Sequence, residues 1–210
     1  MLTREQCRPF VWVACLGVIT TALNTLIPVL SSGGETWESF RDLVLLVHAP
    51  ATLLPVVGLA LLTFRVSPFA AVVAIVFTLL EKFLELTGQA LQIFPPEETL
   101  GNVSVRQGVE AVWDQLYFVL WLCNTLAAAA VGWLLLRSTP DRARFAFAAF
   151  AWGAAALTLL LLLGPGYGGL NVPMPGAVLF SIVFTGYRVA IAMSLMRSHA
   201  MVTSAPAPGR

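Results

Sequence analysis

The chain has 210 residues, 58% of them hydrophobic and 11% charged, with a mean hydropathy of +0.84. A soluble globular domain carries roughly 25% charged residues, so this composition describes a multi-pass membrane protein. The net charge is +1, and there is neither a basic run nor an interleaving of aromatic and basic residues that would suit nucleic acid as a partner. Cys7, Cys15 and Cys123 are scattered without CxxC spacing and read as free thiols.

Six apolar segments reach the ~20 residues that a bilayer crossing requires. They are Phe10–Leu30, Leu43–Phe64, Phe69–Phe94, Ala111–Leu136, Phe145–Leu163 and Gly176–Met196. The connections are short, so the expected architecture is an all-α transmembrane bundle, a single domain over 1–198 with a flexible tail at 199–210. Arg4 and Arg8 precede the first segment, but its apolar stretch is longer than the ~7–15 residues of a signal-peptide core, so it is expected to stay in place as a span. Arg65, Arg137, Arg142, Arg144, Arg197 and Arg210 fall on the same side as those two, and the opposite loops are acidic with only Arg41 and Arg106. Both termini are therefore expected in the cytoplasm, and the protein in the cytoplasmic (inner) membrane.

In chain order, segment one ends in Thr21, Asn24, Thr25 and Pro28 along one helical face, a pattern that packing explains well. Segment two carries His48, Thr52, Pro50 and Pro55, and the prolines predict a kink with freed carbonyls. Segment three is the most unusual, because Glu81, Glu85 and Gln89 form one polar stripe, with Lys82 off that face but within i,i+3 reach of Glu85. A charge at membrane depth costs on the order of 2.5–3.5 kcal/mol, so the stripe is expected to face the bundle interior or a watered cavity. Segment four adds Glu110, Trp113, Asp114, Tyr117, Trp121 and Asn124 along one side. Segment five has no ionisable residue and reads as a packing helix. Segment six, after a turn-rich Gly-Pro connector, places Ser181, Thr185 and Arg188 in register.

Leu80-Glu81 followed by Gly88, Asp114 early in segment four, Leu134 to Ser138 and the Trp152-Gly153 pair resemble a bacterial family of six- to seven-helix membrane proteins of unknown function. The chain departs from that pattern at Thr78, where the family has an arginine, and at Arg188, where it has an acidic residue. The resemblance implies the architecture and the relevance of Glu81 and Asp114, and brings no activity.

By rise per residue Glu81 and Arg188 sit at similar depth, ~18–20 Å along their helices, and are expected to form the central ion pair between helices three and six. Lys82 then serves Glu85, and Asp114 is left near His48 as a surplus carboxylate to be protonated, shared with the histidine or neutralised by a bound cation. The expected site therefore comprises Asn24, His48, Glu81, Glu85, Gln89, Asp114, Tyr117 and Arg188, open to the extracytoplasmic side.

Its best reading is the binding or movement of a proton, a cation or a small polar solute. The alternatives are an accessory or scaffold subunit of a membrane complex, whose buried ions only set helix register, and an intramembrane metal-dependent enzyme. No HExxH, Gly-x-Ser-x-Gly or paired-histidine signature supports the enzyme, so no catalytic or metal-binding residue is assigned. With His199 in the tail no haem or other cofactor is expected. The expected partners are the lipid bilayer and either further copies of the chain or a larger membrane complex.

Overall fold

In a chain this apolar each segment has to satisfy its own backbone polar groups, and the α-helix does so locally. The computed structural model describes residues 4–30, 35–93, 103–138, 142–163 and 174–204, with side chains described at 8–24, 43–88, 112, 115–138, 142–163 and 178–197. These residues form α1 (Arg4–Leu30), α2 (Glu35–Thr63), α3 (Pro68–Ile93), α4 (Val103–Ser138), α5 (Ala143–Leu163) and α6 (Met174–Ser204), with no strand among them. Helices α2 and α4 begin before the expected apolar starts at Leu43 and Ala111, and α6 continues past residue 198 to Ser204. An apolar run marks only the stretch suited to hydrocarbon, and helical hydrogen bonding does not stop where that stretch ends.

The stretches Leu43–Thr63, Gln115–Ser138, Ala143–Leu163 and Val178–Arg197 are long and apolar enough to cross a membrane. Helix α1 is apolar over the shorter stretch Arg8–Asn24, and α3 carries three ionisable side chains in its second half.

Each helix packs against its neighbour in sequence, and α6 closes the ring on α1, while α2, α4 and α6 also meet one another across the middle. Consecutive short-looped helices make this the simplest way to bury six apolar faces. The core is built from small side chains. Helix α5 buries Ala148, Ala151, Ala154, Ala155 and Thr158, and small residues let helix axes approach where lipid offers no hydrophobic drive to association. Polar cross-links add direction: Thr125 Oγ1 lies 2.7 Å from Thr158 Oγ1 between α4 and α5, and Ser138 Oγ lies 2.9 Å from Ser194 Oγ between α4 and α6.

Helix α2 remains helical through Pro50 and Pro55. Proline has no N–H to give, so Pro55 leaves the Ala51 carbonyl without its usual i+4 donor. That carbonyl faces α1 at Gly17, where an added Cβ would collide with it. The missing side chain thus lets α1 lie directly on the stretch of α2 that the proline has opened. Gly17→Val should force these helices apart, at a cost of about 1–3 kcal/mol for an overpacked contact. A lowered Tm of the detergent-purified protein would be the readout, and unchanged stability would mean that α1 does not seat on Ala51.

Candidate functional site

The ionisable residues of α3 converge on a cavity of about 280 Å³ walled by α1, α2, α3, α4 and α6. At ~30 Å³ per molecule this is room for roughly nine waters. No residue of α5 lines it, in keeping with the lack of ionisable residues over its apolar stretch Phe145–Leu163.

Lys82 organises the charged wall. Its Nζ lies 2.8 Å from Glu81 Oε1 and 2.6 Å from Glu85 Oε2, so one ammonium bridges two carboxylates of its own helix. Glu81 and Lys82 are each only 4% exposed. Burial at this level is tolerated when a charge is paired and its remaining bonding capacity is used. Glu81 Oε1 accepts a further hydrogen bond from Asn124 Nδ2 of α4 at 2.9 Å. The polar wall is thereby tied across the α3–α4 contact.

His48 on α2 is buried between α1 and α3. Its Nδ1 lies 3.2 Å from Thr20 Oγ1, and Thr20 Oγ1 in turn donates to the Gly17 carbonyl at 3.2 Å. Its Nε2 is 3.9 Å from Glu85 Oε1, wider than a direct hydrogen bond. Thr52 is spent on the backbone, donating to the His48 carbonyl at 2.9 Å.

Opposite the charged wall stands an aromatic one. Tyr117 meets Trp121 edge-on at 5.7 Å, Trp121 meets Phe180 edge-on at 5.8 Å, and Phe180 stacks on Phe184 at 4.2 Å. Arg188 follows Phe184 one turn along α6, lines the cavity and is only 6% exposed. Its guanidinium carbon lies 4.7 Å from the ring centre of Tyr187.

The expected Glu81–Arg188 ion pair is not formed. Glu81 is instead occupied by Lys82 and Asn124. The buried Nε–H of Arg188 has no hydrogen-bond acceptor among the described residues. Depth along two helices fixed similar levels but not which cation stood nearer, and the adjacent lysine on the same helix wins. The face of α6 differs as well: Phe180, Phe184 and Arg188 look into the cavity, rather than a stripe of Ser181, Thr185 and Arg188.

Of the residues expected at the site, Asn24, His48, Glu81, Glu85, Tyr117 and Arg188 all line this one cavity. The side chains of Gln89 and Asp114 lie outside the described residues. The surplus carboxylate expected at Asp114 thus lies outside them too, and the described wall balances two carboxylates with Lys82 and Arg188.

Sequence reasoning paired Lys82 with Glu85 but left it off the site, although a plain signal was present: it is the single lysine of the chain. The aromatic wall also went unassigned, because Phe180 and Phe184 at i,i+4 spacing look like any lipid-facing pair. Among the described residues no group of three His, Cys, Asp or Glu side chains is arranged to hold a metal ion. The Lys82 ammonium occupies the position between Glu81 and Glu85 that a cation would take. Comparison with protein-family models, with curated proteins and with solved structures yields no match to this chain.

Lys82→Met should strand two carboxylates in the wall and destabilise the protein by around 3–5 kcal/mol. Adding Glu81→Gln to it should recover part of that loss. In double-mutant cycles read by thermal denaturation, Glu81 should couple more strongly to Lys82 than to Arg188. The reverse order would place the ion pair between α3 and α6 after all.

Proposed function

We propose that this is a six-span protein of the cytoplasmic membrane, with both termini in the cytoplasm, and that it binds a small polar solute in the cavity between α3 and α6. The observation that carries the proposal is Arg188, a buried guanidinium that lines the cavity and whose Nε–H has no acceptor among the described residues. Buried polar groups are nearly always paired, and one left open beside a cavity marks a place where a ligand or water completes it. The orientation follows from the distribution of arginines and places Asn24 and His48 in the outer half, so solute enters from the extracytoplasmic side.

A purely structural role suits the Lys82 cluster and the charge of Arg188 that balances it, and leaves unexplained the buried Nε–H of Arg188, which has no acceptor among the described residues. Movement of the solute across the membrane requires a second, inward-open arrangement of the same helices. Binding is the part of the function that this arrangement supports directly.

Access and orientation are tested together by cysteine labelling. In a background free of native cysteines, Asn24→Cys should react with a membrane-impermeant maleimide added to the extracytoplasmic face, and Ser138→Cys should react only from the cytoplasmic face. Labelling of both from one side would overturn the topology, and an unreactive Asn24→Cys would overturn the open cavity.

A further inference from the structure

The charge pattern of the cavity narrows the solute class, on the basis that the cavity is a solute site at all. Two acidic groups and two basic groups face it, but they are unequally engaged. Lys82 holds Glu81 and Glu85 within 2.8 Å and 2.6 Å. Glu81 Oε1 is further occupied by Asn124. Arg188 makes no ion pair with a described residue, and its Nε–H, buried with the rest of a 6% exposed side chain, points to no protein acceptor. Its guanidinium carbon lies over the ring of Tyr187 at 4.7 Å, a contact with the face of the guanidinium that does not consume its N–H donors.

A planar, permanently charged fork of donors is matched best by an anion with two coplanar oxygens. The charge count sets the upper limit. Among the described lining residues two carboxylates face two cations, so the cavity itself is neutral; a bound monoanion leaves one net negative charge and a dianion two, and the singly charged ligand is the one less repelled. The body of the ligand is set by the other wall, where Trp121, Phe180 and Phe184 present ring faces and edges. These surfaces offer contact to an aromatic or branched apolar group of modest size.

We infer that the cavity binds a small organic monocarboxylate, its carboxylate on Arg188 and its apolar body against Trp121, Phe180 and Phe184. Arg188 serves as the anion-recognition residue and Lys82 as an internal counter-ion that offsets one of the two glutamate charges.

Benzoate, benzyl alcohol and benzylamine share a ring and differ in the charge of the group attached to it. Calorimetric titration of the full-length protein in detergent should show benzoate binding more tightly than either analogue. Arg188→Gln should weaken benzoate at least ten-fold while leaving benzyl alcohol unchanged, and Arg188→Lys should fall between the wild type and Arg188→Gln because it keeps the charge and loses the fork. The comparison of the three probes on the wild-type protein stands even where a variant fails to fold. Equal binding of benzoate and benzyl alcohol would overturn the anion assignment and leave the solute cavity standing. Tighter binding of benzylamine would also overturn it, showing that the glutamates dominate the field in the cavity. Binding of none of the three would overturn both the assignment and the solute-site reading.

Discussion

A lysine held between two glutamates of its own helix is the constraint on which the bundle turns. Any of these charges facing lipid would cost several kcal/mol, and together they oblige α3 to present this face inward. Because Lys82 contacts both Glu81 and Glu85, the helix brings half of its counter-charge with it. The Asn124 amide and the ring of His48 approach from other helices. The bundle can therefore close around the cluster while leaving a cavity beside it, instead of filling that volume with partner side chains.

The surrounding packing serves the same arrangement. Small residues on α5 and the Gly17–Ala51 contact bring helices close at one level, and that closeness sets Thr20 of α1 against His48 of α2. Pro55 contributes indirectly, by opening the carbonyl on which Gly17 rests. Helix α6 brings Phe180, Phe184 and Arg188 to the cavity on successive turns, so one helix supplies part of the aromatic wall and a cation that makes no ion pair with a described residue. The difference between the two arginine-bearing arrangements is consequential. An Arg188 locked to Glu81 would leave a neutral, closed core, whereas an Arg188 released by Lys82 leaves a cationic donor fork in a cavity.

Much of this was legible in the residues themselves. Apolar run lengths marked all six helices, and the steps of three and four marked Glu81 and Glu85 as one stripe on α3 and Tyr117, Trp121 and Asn124 as another on α4, because helical periodicity and the cost of buried charge are local properties. The absence of ionisable residues from Phe145–Leu163 likewise anticipated the place of α5 outside the cavity wall. What periodicity could not supply was pairing across helices. Glu81 had two cations in range by depth, Lys82 and Arg188, and the choice depends on rotamers and on the Asn124 bond from α4. The register of α6 was missed for a related reason: Ser181 and Thr185 drew attention as polar residues, while the cavity face is set by neighbouring helices and is aromatic.

The account stands or falls on Lys82 holding both carboxylates, and the chain offers a direct view because this is its single lysine. Protein labelled with isotopic nitrogen at lysine and placed in lipid nanodiscs should give one side-chain nitrogen resonance in an NMR spectrum. The account predicts a charged ammonium in slow exchange with water, whose signal moves on Glu81→Gln and again on Glu85→Gln. A resonance exchanging as fast as that of a surface lysine, and indifferent to both substitutions, would contradict it.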